Sequence, residues 1–344
     1  MIKLGELAEA VSIEQEFESG KPVIEKEIVH YEIIRCLSAA GLLDDLTFQG
    51  GTALRLCHGA ARYSEDLDFA AGGAFESLKL EEFTAALRKN ILSSYDADVT
   101  VKEPKITSGS GGGVAIRRWK ISIDTAPARK DLPKQRIKVE IASVPAYTGE
   151  LKAVRVNYPQ LAGAYDGLRV RCESLEEVLA DKLIAFAATE ESRIRYRDLW
   201  DISWLLARID PSGTTVAGLV EAKHGDYNLE TPLSELISKG AARARSKEIT
   251  SELELQMGRF LPPRLLRNAF RQTGSAAAMG ADAAEAYSMV AADLGLRLPA
   301  EESATIRVEK AKEERGRIDV DAVKPLAVSR LGESLENGKK RKCK

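Results

Sequence analysis

Gln49-Gly50-Gly51-Thr52-Ala53-Leu54, followed by Arg62-Tyr63-Ser64-Glu65-Asp66-Leu67-Asp68-Phe69, decides how this chain is read. Leu46-Thr47-Phe48 reads as a short strand and Thr52 to His58 as a short helix, so the two glycines sit between them. Glycine lets a backbone approach a phosphate closely, and the first N–H groups of a helix point at it. Asp66 to Ala70 reads as the next strand. Side chains alternate along a strand, so Asp66 and Asp68 share one face and Leu67 and Phe69 the other. Two neighbouring carboxylates repel unless positive charge lies between them. Mg²⁺ carrying a nucleoside triphosphate would supply that charge. Each signal alone is weak, since a Gly-Gly pair is more often a plain turn and strand carboxylates are common. Their proximity in the chain makes them informative.

A third carboxylate would complete a metal site, and Arg136-Ile137-Lys138-Val139-Glu140-Ile141 is the best source. Ile137, Val139 and Ile141 share one face of this strand, while Lys138 and Glu140 share the other. Any amphipathic strand has such polar alternates, so Glu140 is a candidate on placement only. Ser174-Leu175-Glu176-Glu177 reads as a capping box with Ser174 as N-cap and Glu177 at N3. In the helix behind it Leu175, Val178, Leu179, Leu183 and Phe186 form an apolar stripe, from which Lys182 projects. A lysine on a buried face is costly without an anion. Snorkelling to the surface is one reading; a lysine aimed at nucleotide phosphates is the better one. Arg195-Tyr196-Arg197-Asp198-Leu199-Trp200-Asp201 opens the next helix. Asp198 is either a helix-start acid favoured by the dipole or a partner for Lys182 or a substrate hydroxyl, with Arg195 or Arg197 binding phosphate. Spacing alone leaves both open.

The 344 residues allow a sizeable core and suggest two domains. A hydrophobic content of 44% and a charged content of 30% describe an ordinary soluble protein. The chain has no run of about 18 apolar residues and no apolar signal core near Met1, which predicts a cytoplasmic protein without membrane contact. Cys36, Cys57, Cys172 and Cys343 lack metal-type spacing, and His30, His58 and His224 form no cluster, which argues against zinc and histidine-based catalysis. A formal charge of −2 is uninformative, but local charge is not. Arg117, Arg118, Lys120, Arg129, Lys130, Lys134, Arg136 and Lys138 crowd one segment, and Lys339 to Lys342 make a basic tail. Solvated strand faces and a disordered end explain these; a surface that tracks nucleic-acid phosphates is the functional reading.

The expected order is a helix over Ile24 to Ala40, the strands and short helix above, a helix over Leu80 to Leu92, and strands over Ala97 to Val101, Val114 to Ile123 and Ile137 to Ala142. The Gly/Ser-rich stretch Ser108 to Gly113 reads as a hairpin loop rather than a phosphate loop, because no helix follows it. After Ser174 the chain turns helical, with helices over Leu175 to Ala188, Asp198 to Ala207, Leu233 to Arg245, Ile249 to Leu261, Ala281 to Leu294 and Glu301 to Arg317. The expected division is an α/β domain over 1–170, a helical domain over 171–330 and a disordered tail over 331–344.

Taken together, Gly-Gly-Thr, Arg-x-Ser-x-Asp-x-Asp, a downstream strand acid, a helical lysine and an Arg-Asp-x-x-Asp pattern resemble the AbiEii-type nucleotidyltransferases. These are the toxins of AbiE-like bacterial toxin–antitoxin systems, which include the MenT toxins. The resemblance runs from about Lys26 to Trp204. It implies an α/β (α+β) fold: a polymerase-β-like nucleotidyltransferase core with a mixed sheet, followed by a mostly helical C-terminal domain. It further implies Mg²⁺ on Asp66, Asp68 and Glu140, where the wider superfamily often has Asp in place of Glu. NTP would be bound by Gly50, Gly51, Thr52, Arg62, Ser64, Lys182 and Arg197. Lys182 would neutralise phosphate charge, and Asp198 would serve as orienting group or base. The family implies NMP transfer to RNA, with the tRNA 3′ end as acceptor and translation blocked, a role in phage defence, and a cognate antitoxin encoded nearby. Two other readings compete: nucleotidylation of a protein, and a non-catalytic nucleotide-binding regulatory module. The intact acidic set argues against the last.

Overall fold

A computed structural model of the chain describes residues 3–95, 97–108, 113–125, 134–272 and 274–298. The expected helix Glu301 to Arg317, the tail 331–344, Cys343, and Arg129 and Lys130 of the basic segment lie outside these residues. Helices α1 (Leu4–Glu14) and α2 (Lys21–Ala39) lead into strand β1 (Thr47–Gln49), helix α3 (Gly50–His58) and strand β2 (Leu67–Ala70). Helix α4 (Leu80–Ser94) precedes β3 (Asp98–Ser108), β4 (Ala115–Asp124), β5 (Gln135–Ala142), β6 (Glu150–Ala153) and β7 (Arg169–Cys172). Seven helices follow: α5 (Leu175–Ala188), α6 (Tyr196–Leu206), α7 (Thr214–Asp226), α8 (Leu233–Ala244), α9 (Ile249–Met257), α10 (Pro263–Ala269) and α11 (Ser275–Asp293).

The strands form one mixed sheet in the order β3-β4-β5-β2-β1-β7-β6. The pairs β2/β5 and β1/β7 are parallel and the others antiparallel. Period-two alternation fixes which face is dry. Leu67, Phe69, Trp119, Ile121, Ile137, Val139 and Ile141 are all buried under α2 and α4, which pack on the sheet. Each such side chain contributes roughly 1.5–3 kcal/mol on burial, and a one-residue slip would turn all of them to the other face. Phe83 of α4 stacks on Trp119, whose indole N–H donates to Thr84 at 3.1 Å. The opposite face of β2, β4 and β5 is polar at its centre, and the candidate site is built there.

The architecture is the mixed α/β fold with trailing helices that the sequence predicts. β3 and β4 pair antiparallel from Asp98↔Asp124 to Ser108↔Ala115, while residues 109–112 of the Gly/Ser-rich connection lie outside the described residues. The last strand ends at Cys172 and α5 begins at Leu175. One buried core runs from Leu4 to Ala291 and joins sheet and helices. The capping box forms only in part. Ser174 Oγ accepts from the Glu177 N–H at 3.3 Å, but the Glu177 carboxylate is drawn away to the N–H groups of Tyr147 and Thr148 and to Lys223. Ser174 N–H donates instead to the Thr148 hydroxyl at 2.8 Å. A buried carboxylate gains more from a cation than from one further amide.

Candidate active site

The site starts where β1 turns into α3. Gly50 holds φ at +77°, a left-handed conformation, and a Cβ there would stand 3.0 Å from Asp68 Oδ2. Both facts require glycine. Gly51 faces the other way: a Cβ on it would meet the Arg62 guanidinium at 2.4 Å and Ser64 Oγ at 3.0 Å. The Thr52 hydroxyl donates to the backbone carbonyl of Asp66. These contacts clamp the start of α3 against the strand that carries the two aspartates.

Across the polar face, Gln49, Asp68, Glu140 and Arg118 are neighbours in register on four adjacent strands. Asp66 immediately precedes β2, one pleat from Asp68. Burial, then the Glu140 and Asp66 carboxylates, push the Asp68 carboxyl up to about 7 against the pull of Lys182 and Lys138. Asp66 is held by the backbone N–H of Lys138 at 3.0 Å and by its ammonium at 2.9 Å. Glu140 lies in the expected row, but its carboxylate accepts from Arg118 at 2.6 and 3.3 Å. Among the described residues no three His, Cys, Asp or Glu side chains form a ready metal cage. The hard oxygens of Asp66 and Asp68 nevertheless fit a divalent cation, because their mutual repulsion lacks a full counter-charge. Glu140 becomes a third ligand only by giving up Arg118.

Helices α5 and α6 supply the opposing wall. Lys182 reaches Asp198 Oδ1 at 2.7 Å and Asp201 Oδ2 at 2.8 Å, with 12% of its side chain exposed. Of the alternatives left open by spacing, Asp198 is therefore the partner of Lys182. Arg195 Nε adds a second contact to Asp198 at 3.1 Å. Burial raises the Asp198 carboxyl, but Lys182, Arg195 and Arg197 outweigh it and hold the group well below the usual carboxylate range. Asp201 is likewise lowered, with burial overcome by Arg62 and Lys182. A carboxylate so firmly ionised is a weak proton acceptor and a good orienting group.

These walls enclose a cavity of about 590 Å³, within the range that holds a nucleotide-sized ligand. Gly50, Asp68, Glu140 and Lys182 line it, together with Gln49, Asp181, Arg193 and Arg195. Its far end is apolar, built by Val114, Ile116, Ala142, Tyr227 and Leu229. Thr52, Arg62, Ser64, Asp66 and Arg197 do not line it. Arg62 is buried in a two-pronged pair with Asp201 behind Gly51. Arg197 lies over the Phe260 ring, 5.6 Å from its centre. The sequence pattern contained Asp201 without revealing its role, although its i, i+3 spacing from Asp198 on one helix face was a usable signal. Of the two arginines offered for phosphate, Arg195 lines the cavity, whereas Asp181 and Tyr227 carried no sequence signal.

A family model described as nucleotidyl transferase AbiEii toxin, type IV TA system, matches residues 32–278. Among solved structures the chain is similar to MenT4, a nucleotidyltransferase toxin from Mycobacterium tuberculosis. The identity is 20% and the TM-score 0.59, over 92% of this chain and 97% of that one. A second match, JHP933 from Helicobacter pylori, has 17% identity and a TM-score of 0.40, over 84% of this chain and 99% of that one. The MenT4 likeness bears on the fold alone, and the lower-scoring one carries no weight here. No match is found among curated proteins.

Proposed function

The chain belongs to the AbiEii nucleotidyl transferase toxin family of type IV toxin–antitoxin systems, and from this premise we propose that it transfers NMP from Mg-NTP to an RNA acceptor. The observation that carries the reading is the meeting of Gly50, Asp68 and Lys182 in one cavity, with Asp66 one pleat away. Asp66 and Asp68 are the residues that would hold Mg²⁺. Bound there, a divalent ion supplies charge for an in-line displacement at phosphorus.

This chain's own residues do the rest. Gly50 leaves room for a phosphate beside Asp68, and the first N–H groups of α3 face it. Lys182, oriented by Asp198 and Asp201, neutralises the triphosphate, and Arg195 reinforces it. Arg62 acts from behind by fixing Asp201, and Ser64 and Thr52 support the glycine turn. The apolar end around Val114, Ile116 and Tyr227 takes the base. An acceptor hydroxyl attacks the α-phosphate and pyrophosphate leaves; positioning and electrostatics suffice for such a transfer. The acceptor that family resemblance favours is the tRNA 3′ end, with translation blocked as the consequence. On the same ground the protein is assigned to the cytoplasm, a cognate antitoxin and phage defence.

Purified protein incubated with Mg²⁺, total RNA and each labelled NTP separately tests the reading. The expected result is label in an RNA fraction that Asp66→Ala abolishes. Label in protein alone, or labelling unaffected by the substitution, contradicts it.

A further inference from the structure

The polar face of the sheet does not end at the carboxylates. It continues across β5, β4 and β3 toward the sheet edge as cross-strand rows of cations. One row is Lys138–Lys120–Lys102, with Lys138 on Asp66. The next is Glu140–Arg118–Lys105, with Glu140 beside Asp68. A third carries Arg136 and Ser122, with Thr100 beyond. Lys102, Lys105, Lys120 and Arg136 are exposed. Among the described residues, the ion pairs on this part of the sheet are Arg118–Glu140, Lys138–Asp66 and Lys134–Asp124, and none of them engages those four cations. Like charges directly opposite each other on adjacent strands are unfavourable. Three lysines in one row make sense if an anion lies across them.

We propose that this face is the track on which the phosphates of a single-stranded RNA acceptor lie, with its end delivered to Asp66 and Asp68. The inference rests on the nucleotidyl-transfer reading and names the surface that reading lacks. The geometry is directional. Both cation rows run from the edge strand β3 toward the two aspartates, and the cavity's apolar end at Ile116 and Ala142 lies one pleat beyond the Glu140–Arg118 row on β4 and β5. The apolar row and the lysine row therefore flank the Glu140–Arg118 row, which separates the place of the incoming base from the track. From Lys102 to Lys138 is two strand spacings, about 10 Å, a lane suited to one strand rather than a duplex. Apart from Glu140 at its inner end, the rows hold lysine, arginine, serine and threonine and no aromatic side chain. Without rings on which bases stack, recognition runs through phosphates and tolerates sequence.

The test uses the full chain with Lys102→Gln, Lys105→Gln, Lys120→Gln and Arg136→Gln combined. None of these four contacts the carboxylates or lines the cavity. The probe is a labelled oligoribonucleotide with a single-stranded 3′ end, titrated over a range of salt. A fluorescent Mg-NTP analogue reports folding and the nucleotide site. The expected result is RNA binding at least about tenfold weaker, with the slope of log K against log salt smaller by about 3 for four lost contacts. Nucleotide binding stays unchanged, and a variant with arginine at the three lysine positions binds RNA like the parent. An unchanged RNA affinity and salt slope overturn the track while leaving RNA labelling by the parent, and hence nucleotidyl transfer, intact. Equal affinity for a blunt duplex overturns the single-strand assignment. A parent protein that labels no RNA removes the premise instead, and that result is separate from the variant's.

Discussion

Two lysines tied to α5, one buried and one half-buried on a cavity wall, stand in contrasting settings. Lys223 of α7 is 1% exposed and meets three carboxylates, Glu173, Glu177 and Asp181, at 2.9–3.0 Å. Burial lowers its affinity for a proton, but Asp181, Glu173 and Glu177 outweigh that and push its pKa up. Lys182 also meets two carboxylates, yet it stands on a cavity wall and acts across the space on Asp68. Similar chemistry serves two ends. Lys223 is surrounded and locks α7, α5 and the end of β7 together. Lys182 is held from behind by Asp198 and Asp201 and lines the cavity where the proposed nucleotide would lie.

The comparison breaks if either lysine behaves like the other. Lys223→Ala leaves three acids around an empty site, and breaking a buried pair costs about 3–5 kcal/mol. Denaturant unfolding should show that loss, while the remaining folded protein binds Mg-NTP as before. Lys182→Gln should cost less, about 1–3 kcal/mol, because its site is partly open, but nucleotide affinity should fall at least about tenfold. Calorimetric or fluorescence titration distinguishes the two. If Lys182→Gln binds nucleotide normally, Lys182 is structural like Lys223.

Smaller effects sharpen the contrast. Gly50→Ala forces a left-handed φ on alanine and a Cβ against Asp68. It should lose about 1–3 kcal/mol together with nucleotide binding. Asp68 titrates upward, at about 7, against an unfolded value near 4. Between these values the folded state binds the extra proton, so stability falls as pH rises through that window and the penalty is complete above it. In EDTA, Asp68→Asn should therefore unfold at about the same temperature as the parent at pH 4 and at a higher one at pH 8. A stabilisation independent of pH contradicts the charge-crowding account.

Much of this was legible locally. Ser174 and the stripe behind it set α5 at Leu175–Ala188, the expected span. Period two put Asp66 and Asp68 on one face, and the cost of burying Lys182 announced a partner. What escaped was weakly patterned or distant. α7 contains Gly218 and Gly225 and shows no clear apolar stripe, so it offered little helical signal, and with it went Lys223 and Tyr227. β6 and β7 have four residues each, too few for alternation to stand out. Arg62 and Asp201 are 139 positions apart, and only tertiary folding shows that Arg62 is already engaged. Arg118 claims Glu140 by a cross-strand register that no local pattern specifies.

The central claim is that Asp68 and its neighbours transfer a nucleotide, and position-specific labelling tests it most directly. Parallel reactions with NTP labelled at the α- or the γ-phosphate, with the parent and Asp68→Ala, read out the transferred group. The account predicts α-label in RNA with the parent, no γ-label, and a loss of at least about 100-fold with Asp68→Ala. Transfer of γ-label, or α-label transfer undiminished without the Asp68 carboxylate, would contradict it.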